Sequence, residues 1–104
     1  MSDIIAAIST ALAPSGIGII RLSGPNCAPL ADRVLTPVFG VPLAQAAPRK
    51  LCLYDLRDRS GRVIDRVLAV QTPGPASYTG EDTVELQCHG SPAVLTEALA
   101  HLLA

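Results

Sequence analysis

The sequence is poor in aromatic side chains: among 104 residues there is no Trp, one Phe and two Tyr. A packed core must therefore be assembled from Ala, Val, Ile and Leu. Charge of one sign is lacking too, since eight basic and nine acidic side chains leave a formal charge of -1. That balance offers no electrostatic footprint for a phosphate backbone or an anionic membrane, so nucleic-acid binding by this chain alone is disfavoured. No apolar run approaches the roughly 20 residues a membrane-spanning helix requires. The chain does not open on a basic segment followed by an apolar stretch and a small-residue cleavage site. Its cysteines, Cys27, Cys52 and Cys88, are an odd set at wide, irregular spacing. These features together point to reduced thiols in a soluble, cytoplasmic protein. Internal repeats and low-complexity tracts are lacking as well.

What is present is apolar and punctuated. Hydrophobic residues make up 49% of the chain, which argues against disorder. A chain of this length fits one domain, 1–104, burying about two thirds of its unfolded surface. "DIIAAISTA" reads as a strand ended by the turn "LAPSG", and "GIGIIRLSG" as a second strand. In "PNCAPLADRVLTPVF", Leu30, Val34 and Leu35 lie at helical offsets. With Asn26 as a candidate N-cap and Thr36-Pro37 as a stop, a helix is expected over Asn26 to Leu35. Val38 to Lys50, rich in Pro and lacking a period, reads as a connecting loop. "KLCLYDLRD" and "VIDRVLAVQT" form a hairpin across the turn "RSGR", with Leu51 and Leu53 on one side of the pleat and a second apolar set on the other. After the loop "PGPASYTGED", "TVELQCH" is a strand. "SPAVLTEALAHLLA" is a helix with Ser91 as N-cap and Pro92 at its first position. Runs of strands with helices at separate points predict an α+β two-layer sandwich, with a mixed or antiparallel sheet and two or more helices. The last helix ends without a C-cap, which reads as the sign of a fragment.

Several chemistries are excluded by spacing. The glycines at Gly74 and Gly80 are wrongly spaced for a phosphate loop, and Glu81 follows where Lys is needed. "GIG" at Gly16 to Gly18 lacks a third glycine and opens a strand, which rules out a dinucleotide fingerprint. Cys88 and His89 are neighbours, so on a strand they point to opposite faces and make a poor nucleophile and base. A metal site would have to recruit the distant Cys27, Cys52 or His101 without any short paired spacing. No Ser sits in a nucleophile elbow. The chain by itself is therefore expected to be non-catalytic.

Two charged residues do stand out, each at a strand interior. Arg21 follows Ile17 and Ile19 on one face of its strand, and Glu85 shares a face with Thr83 and Gln87. Strand-interior charges need a reason. They can face solvent at an edge or satisfy each other as an ion pair. Alternatively, a cation and a carboxylate can form the wall of a pocket for a polar heterocyclic ligand.

The segments "DIIAAISTA", "GIGIIRLSGP", "GRVIDRVLAV" and "PGPASYTGEDTVELQCHGSPAVL" together closely resemble the N-terminal domain of the tRNA modification GTPase family known as MnmE or TrmE. The resemblance runs nearly end to end. Its most specific part, "SYTGEDTVELQCHG", is similar to the family block S-[FY]-T-G-E-D-x-x-E-[LI]-x-x-H-G. It implies a fold like the folate-binding domain of the glycine cleavage aminomethyltransferase. It also implies a domain that forms homodimers and binds 5-formyl-tetrahydrofolate as a one-carbon donor. In the family, helical and GTPase domains follow, the latter using GTP, magnesium and potassium. With the partner MnmG, also called GidA, the full enzyme modifies the wobble uridine of certain tRNAs. By resemblance the folate-contacting Arg falls on Arg21 and the folate-contacting Glu on Glu85, while a further Lys and a Cys of the family lie beyond Ala104.

Two departures are visible. Many members have "PGRGG" where this chain has "APSG", and Ser91 replaces a frequent Gly after the "HG" pair. Neither touches Arg21 or Glu85. Gly80 and Gly90 read as permissive backbone positions, with Thr79, Glu81 and Asp82 as loop-forming and capping groups. A reduced pterin presents an amino-pyrimidine edge that a carboxylate accepts in bidentate fashion, while an Arg suits a formyl oxygen or a glutamate carboxylate. The alternative expectation is a dimerisation scaffold whose folate site is incomplete on its own.

Overall fold

The computed structural model describes residues 4–8, 17–74, 80–89 and 92–103. Six strands, β1 (Ile5–Ile8), β2 (Ile17–Ser23), β3 (Leu35–Pro37), β4 (Cys52–Arg57), β5 (Val63–Thr72) and β6 (Thr83–His89), form one sheet in the order β1-β2-β6-β5-β4-β3. Every pairing is antiparallel. The helices α1 (Cys27–Asp32) and α2 (Pro92–Leu103) join the sheet in one hydrophobic cluster. The expected α+β class therefore holds, with an antiparallel rather than a mixed sheet among the described strands.

Alternation along the strands explains the two layers. In β6, Val84, Leu86 and Cys88 are buried while Thr83, Glu85 and Gln87 between them are half-buried. The same period puts Ile20 and Leu22 of β2, Tyr54 and Leu56 of β4, and Val67 and Ala69 of β5 into the core. Onto this face α2 lays Leu95, Ala98 and Leu102, an i, i+3, i+7 stripe, and α1 lays Cys27, Ala28 and Ala31. The approach of α2 is close: a Cβ at Gly18 would stand 2.6 Å from Leu95 Cδ1. Glycine is what lets β2 pass under the helix.

Several expectations are corrected. The first helix stops at Asp32, and Leu35 instead opens β3, paired with Leu56. Burying Val34 and Leu35 did not require a helix, and Pro37 disfavours helical backbone at Thr36. Asn26 does occupy the N-cap position, but in a left-handed conformation (φ 60) and without a side-chain cap. Its backbone N–H donates to Asp82 Oδ2 at 3.2 Å. The connecting loop contains a 3-10 turn, Leu43–Gln45. The Asp32 carboxylate caps that turn by accepting from the N–H groups of Leu43 (2.8 Å) and Ala44 (2.9 Å). In β4 the buried set is Tyr54 and Leu56, whereas Leu51 precedes the strand and is exposed. The hairpin between β4 and β5 forms as expected, its turn organised by Asp58, which accepts from the backbone N–H groups of Ser60 and Arg62. The turn "APSG", Thr79, Gly90 and the Ser91 N-cap lie outside the described residues.

Candidate functional site

With both helices on one face, the other face of the sheet carries the candidate residues. Arg21 on β2 stands opposite Glu85 on β6, which stands opposite Val70 on β5. One row along, Ser23, Thr83 and Thr72 align in the same way, and on the other side Ile19, Gln87 and Leu68. Neither β2 nor β6 is an edge strand, so the solvent-facing-edge explanation for the two charges fails. The ion pair is present: Arg21 Nη2 donates to Glu85 Oε1 at 2.8 Å. Gln87 Nε2 donates to the other carboxylate oxygen at 3.4 Å. The side chains are 39% and 25% exposed respectively. Water screens such a pair, so its net contribution to stability is at most about 1 kcal/mol.

The pair borders a concavity of about 180 Å³ lined by Arg21, Val70, Thr72, Thr83 and Glu85. Chemically it offers a planar cation, a carboxylate, hydroxyl groups that both donate and accept, and an aliphatic wall. Val70 and Thr72 were not singled out from sequence. Alternation within "VIDRVLAVQT" puts Leu68, Val70 and Thr72 on one face, but only the β5–β6 register shows that they border Glu85.

The segment leading into β6 is anchored by Asp82. Its carboxylate accepts from the N–H groups of Gly74 (2.9 Å) and Asn26 (3.2 Å), and its carbonyl accepts from the Gly24 N–H at 2.9 Å. The capping role expected for Asp82 is thus observed. Gly80 has φ 81, the conformation expected of a permissive position. A Cβ at Gly74 would meet the Gly80 carbonyl oxygen at 2.7 Å. These contacts fix the start of β6, and with it the height of Thr83 and Glu85 on the sheet.

The other chemistry-bearing residues lie apart. Cys27 and Cys88 are both buried. Burial pushes the Cys27 thiol up to about 11, helped by the Asp82 charge, and the Cys88 thiol up to about 12, helped by Asp65. Both are poor nucleophiles in that state. His89, exposed on the opposite face from Cys88, shares a 2.5 Å hydrogen bond between its Nδ1 and Asp65 Oδ1. Among the described residues no group of three or more His, Cys, Asp or Glu side chains is arranged to hold a metal ion. No described helix is long and apolar enough to cross a membrane.

Comparison with known proteins gives this face a family context. The family model described as GTP-binding protein TrmE N-terminus matches residues 4–104. The chain belongs to this family. Among curated relatives, the tRNA modification GTPase MnmE of Bordetella parapertussis is 50% identical over 99 residues, covering 95% of this chain and 20% of the relative. The protein of the same name from Nitrosospira multiformis is 45% identical over 102 residues, covering 98% and 21%. That from Myxococcus xanthus is 48% identical over 99 residues, covering 95% and 22%. The chain thus spans about a fifth of the length of the curated relatives it matches. In this member of the TrmE N-terminus family, Arg21 and Glu85 meet on the sheet face that the helices leave open.

Proposed function

We propose that this domain binds 5-formyl-tetrahydrofolate at Arg21 and Glu85, and pairs with a second copy of itself, as one module of a cytoplasmic GTPase that modifies the wobble uridine of tRNA. The observation that carries the reading is the guanidinium and carboxylate held side by side at the edge of a concavity on an open sheet face. The amino-pyrimidine edge of a reduced pterin has adjacent N–H donors spaced for a carboxylate, and the formyl oxygen is an acceptor for a guanidinium. A carboxylate has about four lone-pair directions, so Glu85 can receive the ring without giving up Arg21. The relatives named tRNA modification GTPase MnmE are about five times as long as the matched segment. GTP hydrolysis, with its magnesium and potassium, is assigned to the remainder, as are the contacts with MnmG and tRNA.

A second reading is favoured by one dimension. The concavity of about 180 Å³ is smaller than the roughly 300–1,000 Å³ usual for small-molecule sites. On that reading the chain is a scaffold and dimerisation unit whose folate site is completed only by a further copy or another part of the enzyme. Calorimetric titration of the purified protein with 5-formyl-tetrahydrofolate separates the two. Saturable binding near one ligand per chain, weakened about ten- to a hundredfold in Glu85→Gln, supports the folate reading. Binding that Glu85→Gln and Arg21→Lys both leave intact would make the pair purely structural. No binding by the parent protein favours the scaffold.

A further inference from the structure

The ladder between β5 and β6 is incomplete. Its five rungs run from Thr72–Thr83 to Leu68–Gln87, although β5 extends back to Val63 and β6 on to His89. Over those last residues each strand keeps only its outer neighbour, β5 pairing with β4 and β6 with β2. Continued in register, Val67 would face Cys88 and Arg66 would face His89. Instead, the N–H groups of Arg66 and His89 both donate to one carboxylate, that of Asp65, at 2.8 Å and 2.9 Å. The His89 ring shares a further hydrogen bond with it through Nδ1. A single side chain thus stands where backbone rungs would be.

By alternation Asp65 lies on the helix side of β5 with Val67 and Ala69, whereas His89 lies on the open side of β6. Their contact therefore passes through the sheet. Beside it is a concavity of about 170 Å³ whose walls come from both sides, Leu68 and Gln87 from the open face and Val67 and Cys88 from the core. Cys88 is buried, and burial first, then the Asp65 charge, hold its thiol protonated.

We infer that the Asp65–His89 contact is a latch: when it releases, β5 and β6 part at this end, hinging on the five rungs that remain, and the concavity becomes a path to Cys88. Local opening is cheapest where few backbone bonds must break, and here the closed state is held by one carboxylate. The His89 side chain is 73% exposed, so water competes for its end of the contact. A second tie across this end, from Arg62 to Glu97 of α2 at 3.6 Å, is a surface pair and adds little. Opening removes both causes that keep the Cys88 thiol protonated, so the thiol gains access and thiolate character together.

The test is alkylation of the native protein by iodoacetamide, read at each cysteine by peptide mass spectrometry, for the parent, Asp65→Ala and His89→Ala. Cys27 is the internal reference, since it is buried against α1 and does not border the concavity. When reclosing is fast, the rate at Cys88 follows the open population. His89→Ala loses the ring contact but keeps the backbone N–H and the Asp65 charge, so it reports opening alone. The inference predicts that Cys88 reacts about two- to fivefold faster in His89→Ala and about tenfold faster in Asp65→Ala, with Cys27 unchanged in both. A Cys88 rate in His89→Ala equal to that of the parent would overturn the latch. Acceleration of Cys27 in step with Cys88 would overturn it as well, because the change would then be a loosening of the whole fold. Should Asp65→Ala fail to fold, the two rates in His89→Ala decide the matter by themselves.

Discussion

At Arg21 the distinction between a charge and a shape can be measured. The guanidinium reaches Glu85 through one of its terminal nitrogens, and a planar fork of that kind can hold a second acceptor in the same plane. Arg21→Lys keeps the charge and loses the plane. It should therefore weaken 5-formyl-tetrahydrofolate binding about tenfold, with little change in thermal stability, because a partly exposed pair contributes at most about 1 kcal/mol to the fold. Equilibrium binding and thermal melts of the same sample check both halves. Asp58 is a different case, a carboxylate that serves structure. Its hydrogen bonds from the Ser60 hydroxyl and from the backbone of the turn hold it at about 2, below the ordinary 3.8. The folded value is lower than the unfolded one, so this stabilisation is complete above about pH 4 and is lost as pH falls through about 2. Asp58→Asn should therefore be less stable than the parent at neutral pH. In denaturant titrations the gap between them should narrow on acidification.

Among the elements, α2 and β2 are coupled through one contact. Leu95 is fully buried, and its Cδ atoms lie where a Cβ at Gly18 would go. Leu95→Ala should cost about 2–5 kcal/mol as a cavity, and Gly18→Ala about 1–3 kcal/mol as overpacking. The double variant should be more stable than the sum of the two single losses allows, because each change relieves the other. Urea unfolding of the four proteins measures that coupling. The same scale shows what sequence patterns can and cannot specify. The alternation in "TVELQCH" and the turn residues in "RSGR" are local, and β6 and the β4–β5 hairpin were legible from them. The boundary between α1 and β3 was not. Val34 and Leu35 suit a helix face as well as a strand, and the deciding contact, Leu35 with Leu56, is distant in sequence. Nor was the capping of the Leu43–Gln45 turn by Asp32, which depends on tertiary placement. For the candidate site, the strand-interior charges singled out Arg21 and Glu85, which the structure brings together as an ion pair, whereas Val70 and Thr72 became visible only once β5 and β6 had a register.

For the whole molecule, one sheet with both helices on a single side leaves an open face across which Leu68 remains exposed, with Phe39, Val41 and Leu51 exposed elsewhere on the surface. Apolar side chains in these positions suit burial by a second copy, and a two-fold arrangement is the simplest closure. Light scattering over a range of protein concentrations should show mass rising toward twice that of the chain, and Phe39→Ser should shift the transition to higher concentration. A constant monomer mass would contradict self-association of this chain. The central claim, that the open face around Arg21 and Glu85 is a folate site, is tested most directly by mapping amide chemical shifts of the isotopically labelled protein during titration with 5-formyl-tetrahydrofolate. The account predicts saturable shifts concentrated in β2 near Arg21, in β5 near Val70 and Thr72, and in β6 from Thr83 to Gln87. Saturable shifts confined to α1, α2 or the turn at Asp58, or no shifts at millimolar ligand, would contradict it.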